Sequence, residues 1–175
     1  RRLPTGSEVP VYGEHHEIRI IPGPQKEAFT QAALDTLLNA EYKIALDSDR
    51  MGYRLEGPIL EHTAGADIVS DGNPAGSIQV AGDGVPMVLL ADRGTTGGYT
   101  KIATVISADH GTLAQALPGH TISFRPVALK EAFHALRELE AILDSIIDTE
   151  GIPPGTRSVI VDEEAFEVVD SEGNY

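Results

Sequence analysis

The chain has 175 residues, and its 13 lysines and arginines against 27 aspartates and glutamates give a formal net charge of −14. Such acidity argues against nucleic acid or an anionic membrane surface as the main partner, since both require basic patches. The absence of cysteine excludes disulfides, thiolate metal sites and a cysteine nucleophile. No apolar run approaches the roughly 20 residues of a membrane-spanning helix and no charged-then-apolar leader opens the chain, so we expect a cytoplasmic protein.

Short runs with alternating or β-favouring residues predict a series of strands separated by Gly, Asn, Asp and Pro. The predicted strands are residues 16–20, 42–46, 66–70, 77–80, 86–91, 102–107 and 121–124. Many short strands at close spacing favour a barrel or a sandwich over a doubly wound sheet.

Three helices interrupt these strands. Pro24 suits the first position of a helix whose apolar residues recur at helical spacing as far as Leu38. A short helix is predicted to begin at Asp109 as its N-cap and to end before Pro118. The longest helix is predicted over residues 129–147, which carry one apolar stripe. We therefore expect a mainly β (α+β) fold, a β-barrel with two or three flanking helices.

The acidity is concentrated near the carboxyl end, where residues 144–175 contain nine acidic residues and one basic residue. We divide the chain into a main unit, residues 1–150, and an acidic C-terminal extension, residues 151–175. Such an acidic segment is most simply a solvated end, within which residues 157–169 could form a hairpin.

Two polar segments could carry chemistry. Asp49 beside Arg50, after a predicted strand, could form a buried ion pair that keeps the carboxylate ionised and able to accept a proton. A turn with a structural ion pair explains the same residues more simply. Gln79 lies in an apolar strand, where its amide either faces inward and needs a partner or faces solvent.

A third segment, residues 91–101, combines glycines and threonines with Lys101. Its backbone N–H groups could form an anion-binding concavity to which Lys101 adds charge. A tight hairpin with positive φ at Gly97 and Gly98 is an equally good interpretation. The six histidines show no metal-ligand spacing and no serine lies in a nucleophile-elbow pattern, so we expect neither a metal site nor a catalytic triad.

Taken together, several of these segments resemble the biotin-dependent carboxyltransferase family, also called allophanate hydrolase subunit 2. The resemblance covers about residues 18–127 and rests on residues 20–25, 48–57, 70–72, 76–80, 92–103 and 113–119. The family includes the C-subunit of the bacterial ATP-dependent 5-oxoprolinase, the carboxyltransferase region of urea carboxylase, and an antagonist of a sporulation-kinase inhibitor. The resemblance implies a cyclophilin-like barrel that forms the C-terminal half of a carboxyltransferase module.

The resemblance implies a component of an ATP-dependent amidohydrolase, which hydrolyses 5-oxoproline to glutamate. Two alternatives stay open: the carboxyltransferase region of a urea carboxylase, and a non-catalytic module that antagonises a histidine-kinase inhibitor. ATP is the implied cofactor, bound by this chain or by a partner subunit, and biotin is implied for the urea carboxylase alternative. The implied partners are the first half of the same module, an allophanate hydrolase subunit 1-like subunit and a small amide or lactam.

We place candidate site residues on these family motifs. Asp49 or Asp92 would act as the base or accept the substrate nitrogen, and Gln79 would orient an amide edge. Arg50, Tyr99 and Lys101 would stabilise a carboxylate or a developing oxyanion. The remaining candidates for substrate binding are Thr95, Thr96, Gly97, Gly98 and Gln115. These roles require the segments around residues 49, 79 and 97 to converge on one cavity.

Overall fold

The computed structural model of the chain describes residues 13–146, 156–161 and 164–169. The strands of this part are β1 (His15–Pro22), β2 (Glu41–Ile44), β3 (Gly52–Glu56), β4 (Asp67–Gly72), β5 (Ser77–Val80), β6 (Pro86–Leu89), β7 (Thr96–Val105), β8 (Thr121–Pro126), β9 (Thr156–Val161) and β10 (Glu164–Val169). Its α-helices are α1 (Gln31–Asn39), α2 (His110–Gln115) and α3 (Leu129–Ile146). No helix of the described residues has the length and apolar content needed to cross a membrane.

Seven strands form a closed barrel in the order β1-β8-β2-β3-β6-β5-β7, because β7 pairs back with β1. The β1–β8 pair is parallel and the other neighbours in the ring are antiparallel. β4 lies outside the ring and pairs with the first part of β7, which is long enough to reach both. Closure removes the free edges of the seven strands. The predicted β-barrel with flanking helices is confirmed.

The barrel is filled by the alternate residues of its strands. In β1, for example, His16, Ile18 and Ile20 are buried while the residues between them are not. Ile18 and Ile20 join one hydrophobic cluster with residues such as Leu55 and Ile122 from other strands. Removal of this apolar surface from water is the main term that stabilises the barrel.

The first helix begins later than the sequence predicts. The Oγ1 of Thr30 accepts a hydrogen bond from the Ala33 N–H, so Thr30 is the N-cap of α1. The prediction of a helix starting at Pro24 is wrong, because Gly23 and Gln25 are hydrogen-bonded to the backbone of β7 instead.

The short helix α2 follows Asp109, as predicted, but the carboxylate does not cap it. It accepts hydrogen bonds from the Arg19 N–H at 2.7 Å and from the Arg19 Nε at 3.0 Å. These bonds to Asp109 raise the pKa of Arg19. Asp109 therefore fixes the start of α2 to strand β1 through an ion pair that is largely buried.

The remaining elements agree with the sequence in part. α3 spans nearly the predicted residues, and β9 and β10 form the predicted antiparallel hairpin. The boundary proposed at residue 150 lies outside the described residues. The sequence does not predict β3, since the polar residues before it favour a turn, and β7 begins at Thr96, six residues earlier than expected.

Candidate functional site

A β-bulge between β5 and β7 sets the direction of the side chains in the candidate site. Ser77 pairs with Thr104, but two residues further along β5 the partner of Gln79 is Lys101, so β7 contains one extra residue. In a regular strand Lys101 and Thr104 would face opposite sides, because side chains alternate. The bulge instead lets Lys101 and Thr104 line one cavity together with Ser77.

The loop that follows β1 forms hydrogen bonds with the backbone of β7 at this bulge. The Gly23 N–H donates to the Ile102 carbonyl oxygen at 2.9 Å, and the Lys101 N–H donates to Gln25 Oε1 at 3.1 Å. The approach is so close that a Cβ on Gly23 would overlap the Lys101 carbonyl oxygen. Gly23 is thus required by space rather than by a left-handed backbone.

The cavity beside the bulge, which we call the lysine cavity, has a volume of about 510 Å³. Its polar lining comes from β4, β5, β7 and the loops near them: Asp71, Asn73, Ser77, Arg93, Thr95, Lys101 and Thr104. Lys101 is 1% exposed, and its Nζ lies 3.4 Å from Asp71 Oδ2. The hydrogen bond from the Gly72 N–H, and after it the neighbouring Lys101, hold the pKa of Asp71 below its usual range.

Two buried donors in this cavity have no hydrogen-bond acceptor among the described residues. They are the Lys101 Nζ, whose contact with Asp71 lacks hydrogen-bond geometry, and the Ser77 Oγ. A buried ammonium is costly unless it is paired and hydrogen-bonded. An arrangement that leaves both donors unsatisfied is typical of a ligand site.

Gln79 contacts Asn73, a residue that lines the lysine cavity. Its Nε2 donates to Asn73 Oδ1 at 3.0 Å, and Asn73 Nδ2 donates to the Gly94 carbonyl oxygen at 3.2 Å. Gln79 therefore faces inward, one of the two orientations left open by the sequence, and its amide group holds Asn73 in place. A Cβ on Gly97 would lie 2.6 Å from Asn73 Nδ2, so this network needs glycine at that position.

The segment around residue 49 lies elsewhere. Asp49 and Arg50 line a second cavity of about 490 Å³, which we call the α2 cavity because α2 forms one of its walls. The predicted convergence of this segment with those around residues 79 and 97 is wrong, because β3 follows it and β6 stands between β3 and β5 in the barrel. Lys101 and Thr95 do line the lysine cavity, and Gln79 and Gly97 adjoin it through Asn73.

The predicted buried pair of Asp49 and Arg50 is also wrong. Asp49 is exposed, and its carboxylate accepts a hydrogen bond from the Met51 N–H at 2.7 Å within a local turn. Arg50 pairs instead with Asp92, whose Oδ2 lies 3.1 Å from the Arg50 Nε. Both side chains are largely exposed, and ion pairs of this kind contribute little to stability.

The second part of the glycine-rich segment, from Thr96 onward, belongs to strand β7, whereas residues 91–95 form a turn before it. Gly97 pairs with Asp71 of β4, and the positive-φ glycines of the described residues are Gly76, Gly84 and Gly119. The tight hairpin with positive φ at Gly97 and Gly98 is therefore wrong, and the N–H concavity stays a prediction. The other substrate-binding candidates of this segment, Thr96, Gly98 and Tyr99, also belong to the part of β7 beside β4.

Gln115 is exposed at the end of α2, where the neighbouring Ala114 and Ala116 line the α2 cavity.

Sequence reasoning missed several residues of the lysine cavity and its support: Gln25, Asp71, Asn73, Ser77 and Arg93. Gln25, Asp71 and Ser77 stand in the motifs that carry the family resemblance, which was the available signal. Among the described side chains, no three His, Asp or Glu residues are placed to hold a metal ion.

Comparison with known proteins agrees with this architecture. The family model "Carboxyltransferase domain, subdomain A and B" matches residues 3–126. The 5-oxoprolinase C-subunit of Haemophilus influenzae is 43% identical over 129 residues, which are 74% of this chain and 42% of that protein. A putative urea carboxylase of Emericella nidulans is 31% identical over 149 residues, 79% of this chain and 12% of that protein.

The solved structure of the Kluyveromyces lactis urea carboxylase shares the fold, with a TM-score of 0.73 and 18% identity over 93% of this chain and 17% of that one. The chain belongs to the carboxyltransferase domain family. It spans 42% of the length of the Haemophilus relative, so it corresponds to part of such a protein.

Proposed function

We propose that this chain is the second part of a protein similar to the 5-oxoprolinase C-subunit, and that it contacts the substrate during ATP-dependent hydrolysis of 5-oxoproline to glutamate. The relative of that name is 43% identical over 129 residues of this chain. The observation that carries the proposal is the buried Lys101, whose ammonium lines a cavity beside Asp71 and the Gln79–Asn73 amides.

The chemistry of a lactam matches these groups. Hydrolysis adds water to the carbonyl carbon, the carbonyl oxygen becomes an oxyanion, and the C–N bond breaks as the nitrogen takes a proton. A buried cation such as Lys101 can donate a hydrogen bond to the oxyanion, and a pre-oriented donor of this kind is effective because water is excluded. Asp71 can accept the lactam N–H. Its place beside Lys101 suits this role better than the positions of Asp49 and Asp92, which lie outside the cavity lining.

The sequence left open whether ATP binds to this chain or to a partner subunit. Phosphate sites are commonly built from convergent backbone N–H groups, whereas Gly97 and Gly98 of the glycine-rich segment lie in the extended part of β7 that pairs with β4. We therefore propose that the nucleotide contacts a partner subunit. The proposed assembly is a cytoplasmic complex with the first half of the module and an allophanate hydrolase subunit 1-like subunit.

A second candidate function is carboxyl transfer to urea, which the 31% identity with a putative urea carboxylase favours. In that reaction biotin would carry the carboxyl group, and Lys101 would stabilise the carboxylate as it is transferred. The substrate distinguishes the two functions, because 5-oxoproline is an anion and urea is neutral.

The test is an assay of the complete protein that contains this chain, combined with its partner subunits. With ATP and 5-oxoproline we expect glutamate release, and Lys101→Ala should lower turnover at least about 100-fold, as loss of an oxyanion donor does. Lys43→Ala is the control, since Lys43 is an exposed lysine of barrel strand β2. Urea-dependent carboxylation with biotin, and no glutamate release, would favour the second candidate.

A further inference from the structure

We infer that the interior of the lysine cavity is a carboxylate subsite built by Lys101 Nζ and Ser77 Oγ, so that the substrate is a small carboxylic acid with an adjacent N–H group rather than a neutral amide. The inference deepens the proposed function and rests on it for the identity of the natural ligand. The subsite itself is argued from burial, charge and the unsatisfied donors.

The charge of the cavity is opposite to that of the protein. The chain carries a formal charge of −14, yet the charged side chains that line this cavity are Lys101, Arg93 and Asp71. Lys101 is 1% exposed while Asp71 is 54% exposed, so the cation lies inside and the carboxylate lies at the rim. The cavity therefore has a net positive interior that attracts an anion from solution.

The hydrogen-bonding capacity points to a carboxylate in particular. The Lys101 ammonium has three N–H donors and the Ser77 hydroxyl has one O–H, and both atoms are buried without an acceptor in the described part of the chain. A carboxylate offers two oxygens with about four lone pairs and can accept one N–H of Lys101 and the O–H of Ser77, which leaves further Lys101 N–H donors for the oxyanion of the proposed reaction. A neutral amide would bring one carbonyl oxygen and no negative charge, so the half-exposed Asp71 would remain the counter-charge of Lys101 and fewer buried N–H donors would find an acceptor.

The same arrangement of side chains also orients the rest of the ligand. With its carboxylate at Lys101 and Ser77, a ligand N–H next to that group would lie toward Asp71, which is ionised and accepts hydrogen bonds. A cyclic amino-acid lactam has this arrangement of carboxylate and N–H, and urea does not.

Calorimetric titration of the full 175-residue chain tests the subsite directly. The probes are L-5-oxoproline, 2-pyrrolidone (the same lactam without the carboxylate), acetate and urea. We expect L-5-oxoproline to bind at least about tenfold more tightly than 2-pyrrolidone or urea, and acetate to compete with it. Ser77→Ala should weaken L-5-oxoproline binding about tenfold and Lys101→Met about 100-fold. The matched controls are Ser70→Ala and Lys43→Met, because both residues are exposed on strands.

Thermal unfolding separates a binding role from a structural one. Lys101→Met should keep or raise the melting temperature, since replacing a buried charge by an apolar side chain of similar length is often neutral or stabilising. A variant that stays folded but loses binding supports the subsite. A large loss of melting temperature with unchanged binding would show that Lys101 is structural and would overturn the inference.

The outcomes also distinguish this inference from the proposed function. Equal binding of 2-pyrrolidone and L-5-oxoproline, or no carboxylate binding by the folded chain, would overturn the subsite even if the complete complex released glutamate. Lys101-dependent binding of acetate and L-5-oxoproline, without glutamate release by the complex, would support the subsite and reject the proposed reaction.

Discussion

The lysine cavity and the α2 cavity have nearly the same volume, about 510 and 490 Å³, but opposite chemistry. The α2 cavity is lined mainly by apolar residues, and its buried tyrosine is satisfied, because the Tyr53 hydroxyl donates to the Ala116 carbonyl oxygen at 2.9 Å. The lysine cavity contains two buried donors, Lys101 Nζ and Ser77 Oγ, for which the described residues offer no acceptor. The α2 cavity also has one buried polar atom without a hydrogen-bond partner in the described residues, the Nε2 of His110, so the feature that distinguishes the lysine cavity is its buried cation.

The two cavities also differ in how the chain builds them. Leu113 of α2 is 1% exposed and belongs to the hydrophobic cluster that fills the barrel, so a wall of the α2 cavity is part of the core. The lysine cavity depends on the bulge between β5 and β7 and on the loop at Gly23 that supports it. We expect substitutions at the first cavity to affect stability, and substitutions at the second to affect binding.

The largest expected loss of stability is that of Leu113→Ala. Removal of a fully buried leucine side chain should lower the free energy of unfolding by about 2–5 kcal/mol, measured by urea denaturation, because apolar burial is lost and a larger cavity remains. The affinity for L-5-oxoproline should be unchanged in the folded fraction. The control is Leu117→Ala, a wall residue of the same cavity that is 59% exposed and should change stability by no more than about 0.5 kcal/mol. Equal losses in the two variants would contradict the comparison.

Gly23→Ala should affect the lysine cavity, because the loop at Gly23 supports the bulge that forms it. The added methyl group would overlap the backbone at Lys101 and Ala103, which cannot move without breaking the bulge. We expect the unfolding free energy to fall by about 1–3 kcal/mol and L-5-oxoproline binding to be lost, since overpacking forces the backbone to shift. Gly82→Ala is the control, because a Cβ there meets nothing within 4 Å. A Gly23→Ala variant that binds normally would show that the supporting loop does not position Lys101.

Much of the barrel could be predicted from the sequence, because strand alternation is a local signal. Residues 77–80 were predicted with the bounds that β5 has. β3 was missed because Asp49 and Arg50 before it suggested a turn that continued through the strand. The start of α1 was misplaced because a local rule for Pro24 was overridden by hydrogen bonds to a strand far along the chain.

The candidate site was harder to predict because long-range pairing creates it. Lys101 and Ser77 line one cavity because of a bulge, which no local pattern reveals. The glycines at 97 and 98 suggested a turn, although Gly97 is required by the close approach of Asn73. The family motifs contained Gln25, Asp71 and Ser77, but residue chemistry alone gave no reason to select them over Asp49.

The smallest expected effect is that of pH on the free energy of unfolding, which we expect to change while the affinity of the lysine cavity does not. His16 is buried, and its Nε2 lies 3.0 Å from the Nδ1 of His120, in the segment that follows the α2 cavity wall. Burial first, and then the neighbouring His120, lower the pKa of His16 from its ordinary 6.5. Below about pH 6.5 the unfolded chain therefore binds more protons than the folded chain, and the unfolding free energy falls as the pH falls toward the folded-state pKa.

Replacing His16 by Gln should reduce this pH dependence, which for one group amounts to at most about 1.4 kcal/mol per pH unit. The control is His134→Gln, an exposed histidine of α3. The measurement is urea denaturation at about pH 7.5 and about pH 5.5, on either side of the ordinary histidine pKa, with calorimetric binding of L-5-oxoproline at each pH. The affinity should stay nearly constant, because the pKa of Asp71 lies below its ordinary 3.8 and this carboxylate stays ionised over the whole range. A parallel loss of affinity and stability would mean that the lysine cavity is not independent of the barrel interior around His16.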